Sequence, residues 1–179
     1  MRLFIKLILS AFMVLVPCVS KAQSENMNTV GSRLHYSMEL YGSRISSDFK
    51  MGEVELDFGY KFGHSFSIYA PISFSCQFYN ANTTKNYDSQ FKLGIGAGYS
   101  RFFSRISGLG ATLSVSSTIG KNDFNYLQTK LMAKYLMRNS QSSNNGNTAL
   151  GVGIQYLSPY DDSLEKGRFY PVLSIGWIF

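Results

Sequence analysis

The chain has 179 residues, 45% of them hydrophobic, with a formal charge of +6, a size suited to one domain with one core or one barrel. Arg2, Lys6 and Lys21 lie in a leader-like stretch without an acidic residue; beyond Ala22 fourteen basic residues face eleven acidic ones, a formal charge of +3, so the basic balance gives no support to a nucleic-acid partner. The two cysteines, Cys18 and Cys76, fall on either side of Ala22, which excludes an intramolecular disulfide in a chain processed there.

Taking the chain in order, Arg2 and Lys6 precede an apolar run from Leu7 through Val19 that ends in Ser20-Lys21-Ala22. A basic start, a short apolar stretch and a small residue at its end form the pattern of a secretory signal peptide, with cleavage expected between Ala22 and Gln23. The run is shorter than the ~20 apolar residues that a membrane-spanning helix needs. Cys18 follows Leu15-Val16-Pro17, and a proline beside the cysteine departs from the small-residue pattern of a lipoprotein processing site. The expected division is a signal peptide at 1–22, a short connecting segment at 23–32 and a single domain at 33–179.

Beyond the leader the hydrophobic pattern repeats every second residue rather than about every 3.6. Strands are predicted at 33–44, 50–62, 66–79, 90–103, 108–120, 126–138, 149–158 and 168–179. The second is the clearest: Val54, Leu56, Phe58, Tyr60 and Phe62 share one face, and Glu53, Glu55, Asp57, Gly59 and Lys61 share the other. A helix would scatter both sets around its circumference, whereas a strand separates them. Most segments meet or exceed the ~9–11 residues of a tilted membrane-crossing strand, and exceed the ~5–6 usual in soluble sheets. The expected fold class is all-β, an eight-stranded antiparallel up-and-down transmembrane β-barrel.

Alternation alone does not say which face is inside; side-chain volume does. The polar face carries Gly94, Gly96, Gly98, Gly108, Gly110, Ser114, Ser116, Gly151 and Gly153. The apolar face carries Phe66, Ile68, Ile72, Phe74, Phe78, Leu93, Ile95, Leu113, Ile119, Leu131, Tyr135, Ile154 and Trp177. An eight-stranded interior holds closely packed side chains or one small ligand, so the bulky face belongs outside, toward lipid. Tyr36, Tyr41, Phe62, Phe66, Phe102, Phe103, Phe169 and Trp177 gather toward segment ends, where aromatic rings favour the two membrane interfaces.

The lumen face holds the chemistry. Strand two contributes Glu53, Glu55 and Asp57, and strand six contributes Lys130 and Lys134; in a closed ring of eight these strands stand on opposite walls. Counted from one rim, Glu55 matches Lys130 in depth and Asp57 matches Lys134. The expectation is a charge network of Glu39, Glu53, Glu55, Asp57, Lys61, Lys92, Lys130 and Lys134, with His35 beside it, that plugs the lumen. Its alternative is a wet polar lumen without fixed pairs. Gly94-Ile95-Gly96-Ala97-Gly98 places its glycines at strand period with no helix after it, unlike a nucleotide loop. Tyr160-Asp161-Asp162-Ser163-Leu164-Glu165 lacks the ligand spacing of a calcium loop. Neither a metal nor a cofactor is implied.

The final segment, Tyr170-Pro171-Val172-Leu173-Ser174-Ile175-Gly176-Trp177-Ile178-Phe179, alternates apolar residues and ends on an aromatic ring. In this it resembles the terminal assembly signal of bacterial outer-membrane barrels, and the mature pattern as a whole is similar to the small family that includes OmpA-like and OmpX-like domains. That resemblance implies recognition of Leu173, Ile175, Trp177 and Phe179 by the barrel-assembly machinery. It also implies an outer-membrane location in contact with lipid and lipopolysaccharide, with the 23–32 segment periplasmic. Both termini would then be periplasmic, with external loops at 45–49, 80–89, 121–125 and 159–167 and internal turns at 63–65, 104–107 and 139–148. The last of these turns is longer than the family pattern. Pro171 has no ladder donor and suggests a bulge or a later strand start.

Three function classes follow: a structural or surface-interaction barrel, whose ligand at the loops is unspecified; a narrow porin-like channel; and a lipid A-modifying enzyme. The enzyme class needs a nucleophile and an orienting base. His35, Ser174 and Asp57 are the candidates on the lumen face, and no recognised motif surrounds them, so no enzyme activity is expected and the first class is preferred.

Overall fold

The computed structural model describes residues 34–44, 49–62, 65–81, 84–120, 125–138, 146–160 and 167–179. The expected cleavage point at Ala22 and Gln23 and the 23–32 segment lie outside the described residues. Eight strands follow one another: β1 Leu34–Arg44, β2 Phe49–Phe62, β3 Phe66–Ala81, β4 Thr84–Phe102, β5 Ser107–Ile119, β6 Tyr126–Arg138, β7 Asn147–Pro159 and β8 Arg168–Ile178. Each pairs antiparallel with its sequence neighbours, and β1 pairs with β8 to close the barrel. The strands are 11 to 19 residues long, enough for a tilted crossing of a hydrocarbon layer.

The two faces sort as the alternation requires. Ile68, Phe78, Leu93, Ile95, Leu113 and Leu173 are exposed on the outer wall, with Ile95 at 69% and Leu173 at 64% of full exposure. Ser67, Ser73, Ser75, Ser114, Ser116 and Ser174 are buried inside. A soluble protein seldom leaves so many large apolar side chains uncovered in one band.

Two strand starts and the expectation at Pro171 depart from the sequence reading. β4 begins at Thr84 rather than Gln90, because Asn80↔Lys85 and Ala81↔Thr84 continue the β3–β4 ladder through much of the expected 80–89 loop. Phe78↔Tyr87 lies within the same ladder. The β4–β5 ladder starts at Phe91↔Ile119, so this hairpin runs on past its neighbour on that side. β7 begins at Asn147, two residues earlier than Ala149, and pairs with Arg138; residues 139–145 lie outside the described set. Pro171 produces no bulge: the β7–β8 register runs evenly through Ile154↔Pro171. On the other side the β1–β8 ladder stops at Gly42↔Leu173, short of the residue that has no amide to donate.

At the opposite end β4 turns into β5 through residues 103–106. Ser104 organises this turn: its hydroxyl accepts from the amides of Ile106 (3.3 Å) and Ser107 (2.9 Å), while the Phe103 and Ser104 amides donate to the Ser107 carbonyl. This end, with its described turn and both strand termini, is called the turn end below, and the other the loop end.

Close approach explains one lumen glycine directly. Gly96 lies opposite Tyr69 in the β3–β4 register, and a β-carbon there would collide with the Tyr69 ring. That ring is 4% exposed and packs 5.2 Å from His35, centroid to centroid. Gly96→Val should therefore destabilise the barrel by about 1–3 kcal/mol, the usual cost of overpacking. The heat-modifiable gel shift of the refolded protein should shrink accordingly, and adding Tyr69→Ala should recover it. Wild-type behaviour of Gly96→Val alone would show that the ring does not need this space.

Candidate functional site

The lumen face of β2 presents Glu53, Glu55 and Asp57, each 2–3% exposed. Its register with β1 sets Glu39 directly opposite Glu55 and Ser37 opposite Asp57. Two like charges facing each other across a ladder repel, and neither strand supplies a cation at that level. The counter-charges come from other walls of the barrel.

Lys130 of β6 reaches across the lumen to both β2 glutamates, with Nζ 3.1 Å from Glu53 Oε1 and 2.9 Å from Glu55 Oε2. Lys92 of β4 takes the other oxygen of Glu53 at 2.7 Å. Lys134, one inward position further along β6 than Met132, pairs with Glu39. All six side chains in these pairs are at most 3% exposed. In this setting an ion pair is favourable only when its remaining donors and acceptors are also met.

Much of that second requirement is met by neutral groups. Tyr41 donates its hydroxyl to Glu55 Oε1 at 3.0 Å, and the Lys130 ammonium lies 3.5 Å from the centre of the Tyr41 ring. Gln128 donates to Glu53 Oε2 (3.2 Å) and to Gln155 Oε1 (2.6 Å), and accepts from Lys92 Nζ at 2.5 Å. Nearer the loop end, Gln77 donates to Gln90 Oε1 and to the Tyr126 hydroxyl, each at 3.0 Å. Tyr126 and Gln155 are 0% exposed. The lumen is thus filled from the loop end by an amide and phenol layer over the ion-pair layer.

The expected charge set sorts as follows. Glu39, Glu53, Glu55, Lys92, Lys130 and Lys134 come together in pairs. The Asp57–Lys134 pairing read from equal depth is replaced by Glu39–Lys134. Strands in a closed barrel are tilted, so equal counts from a rim do not mean equal height on opposite walls. Asp57 instead accepts from Ser37 Oγ at 2.5 Å. Lys61 lies apart from the ion pairs and donates to the Phe179 carbonyl at 3.0 Å.

His35, Ser174 and Asp57 do not form a nucleophile–base chain. His35 Nδ1 and the Ser174 hydroxyl have no hydrogen-bond partner among the described residues, and Asp57 is engaged by Ser37. Among the described residues no group of three or more His, Cys, Asp or Glu is placed to hold a metal.

Two residues assigned to the interface belts lie elsewhere. Tyr41 is 5% exposed inside the lumen, and Phe102 lines a turn-end cavity with Arg138 4.5 Å above its ring. Their parity already said so: Tyr41 is two residues from Glu39, and Phe102 shares the even-numbered face of Lys92. The same rule would have found Gln77, Gln90, Gln128 and Tyr126, which carry no charge and so drew no attention. At the closing strand, Leu173 and Ile175 are exposed on the outer wall, and the Phe179 amide donates to the Tyr36 carbonyl at 2.8 Å.

No protein-family model and no curated protein matches the sequence. Similar solved structures include the outer membrane protein Ail of Yersinia pestis in a phospholipid bilayer nanodisc, at 12% identity, covering 82% of this chain and 99% of that one, with a TM-score of 0.48. Neisserial surface protein A is similar at 15% identity over 82% of this chain and 93% of its own, with a TM-score of 0.49. The N-terminal β-barrel domain of Pseudomonas aeruginosa OprF is 15% identical over 81% of this chain and 97% of its own, with a TM-score of 0.39.

Removing Lys130 leaves Glu55 without a cation and Glu53 with Lys92 as its one ammonium, so Lys130→Met should cost about 3–5 kcal/mol in reversible urea unfolding from lipid vesicles. The Lys134→Met and Glu39→Leu pair should cost well under the sum of the two single changes, since each single leaves one buried charge alone. Additive losses would mean that the two side chains do not meet.

Proposed function

We propose that this protein is an integral bacterial outer-membrane β-barrel with a plugged lumen and a structural or surface-interaction role. The single observation that carries this reading is Lys130 clamped between Glu53 and Glu55 within a lumen layer that also holds the Lys92–Glu53 and Lys134–Glu39 pairs. A wall that is apolar outside and ion-paired inside has its solvents inverted relative to a soluble barrel, which suits lipid around it. Water or a solute would have to break the pairs to pass, and a buried charge left alone is costly.

On this reading the chain is exported through a signal peptide cleaved before Gln23, and the barrel-assembly machinery recognises the outward row of Leu173, Ile175, Trp177 and Phe179. Lipid and lipopolysaccharide contact the outer wall, and any external ligand meets the loop end, where the β3–β4 hairpin continues beyond the β5 ladder. Among the described residues His35, Ser174 and Asp57 do not form a nucleophile–base chain, and no catalytic role is proposed for them.

Planar-bilayer recordings of the refolded mature chain should show no steady discrete openings. Lys130→Ala with Lys134→Ala should admit water, changing heat-modified gel mobility or raising conductance. A wild-type protein that opens in regular steps would make it a narrow channel instead, and a double variant identical to wild type in both measurements would remove the paired network from its closure. The intact mass of protein recovered from outer membranes should correspond to a chain starting at Gln23; a mass retaining 1–22 would refute the processing step.

A further inference from the structure

Below the Lys134–Glu39 pair, at the turn end, the lumen holds a cavity of about 120 Å³. His35, Lys61, Ser67, Thr112, Lys134 and Asn147 are among the polar side chains that line it, and no carboxylate does. Three of these are basic residue types arriving from β1, β2 and β6. Phe66, Tyr99, Phe102, Leu136 and Ile178 complete the wall with apolar surface.

Two of the basic groups retain donors to offer. Lys61 gives one hydrogen to the Phe179 carbonyl, and an ammonium carries three. His35 is 7% exposed, and its Nδ1 has no partner among the described residues. An unmet ring nitrogen at such burial carries a desolvation penalty, which an acceptor in the cavity relieves when that nitrogen carries the proton. The space exceeds one water, whose share of liquid volume is ~30 Å³, and suits a group with several oxygens.

We infer that the turn-end cavity binds a small oxyanion, a carboxylate or phosphate group, with Lys61 and His35 as its principal donors and Lys134 as the positive floor. The Ser67 and Thr112 hydroxyls stand in the same wall, able to donate to further oxygens. The Glu39 carboxylate pairs with Lys134 and is not among the residues that line the cavity. This inference rests on the closed-barrel reading, because an open lumen would have no floor.

The test uses the refolded mature chain, isotopically labelled at histidine and lysine side chains, titrated with inorganic phosphate or with acetate at ionic strength held constant with chloride. Saturable shifts at His35 and Lys61 are expected with at least one of the two oxyanions. Phosphate alone would identify a phosphoryl group, and acetate alone a carboxylate. Lys61→Gln should weaken binding by about tenfold or more, with Lys61→Arg restoring most of it, since charge-assisted bonds to an oxyanion are the strong ones. No saturation with either anion, an equal response to chloride, or unchanged binding in Lys61→Gln would overturn the assignment. Folding of each variant is checked by gel mobility. A barrel that conducts would refute the plug and with it the floor of the site, whereas a silent barrel without saturable binding would refute the site alone.

Discussion

A carboxylate carried inside a closed sheet cannot reach water through the wall, so its partner has to come from across the lumen. This constraint organises the interior. Glu39 and Glu55 face each other on neighbouring strands, an arrangement that is unfavourable by itself. It becomes tolerable because β6 offers one lysine to each of them, Lys134 and Lys130. The sheet must close with β6 opposite β1 and β2 before either pair can form. Local strand pairing and lumen electrostatics are therefore satisfied together or not at all. Such pairs need not outperform well-packed apolar side chains in net stability; what they supply is a single arrangement, since a slipped register would turn each charge to the outer face.

The same closure limits volume, and small residues are placed where large ones need room. Gly96 yields to the Tyr69 ring, and a β-carbon on Gly176 would meet the side chain of Glu39. The second case joins packing to charge: the pairing partner of Lys134 lies over a bare position of β8. Gly94, Ser114 and Ser116 continue this thin wall on β4 and β5, while β2 and β6 carry the long side chains that cross the lumen. An interior filled in this way is an alternation of large against small, as in small barrels generally.

Much of this was readable from residue parity. The eight strands, the outward apolar band and the inward acidic and basic sets all follow from which residues are an even number apart, and the volume of each set decides which side faces out. Tyr41 shows the limit of reading by residue type: its ring suggests an interface belt, yet its odd number places it beside Glu39 and Glu55. Pairing across the lumen was less legible. Asp57 and Lys134 match in simple count, but the tilt of the strands, which is a property of the closed ring and not of any segment, brings Lys134 to Glu39. The glutamine layer is hard to read from the sequence for a different reason. Uncharged amides are ordinary residues in sequence, and their value appears only when Gln128 is seen bridging Glu53, Lys92 and Gln155.

The two ends of the lumen differ in a way that bears on what each can do. Toward the loop end the filling is neutral and mutually bonded: Gln77, Gln90 and Tyr126 satisfy one another, leaving little for an incoming solute to gain. Toward the turn end the donors are basic, and beside the cavity below Lys134 the His35 Nδ1 has no partner among the described residues. An interior that is self-satisfied at one end and unsatisfied at the other is asymmetric in its capacity for ligands, even though its wall is a uniform ladder. The ion-pair layer separates the two regions, holding the Lys134 ammonium in the floor of the cavity by its bond to Glu39. The buried ion-pair layer and the basic recess at the turn end are thus two consequences of the same crossing side chains.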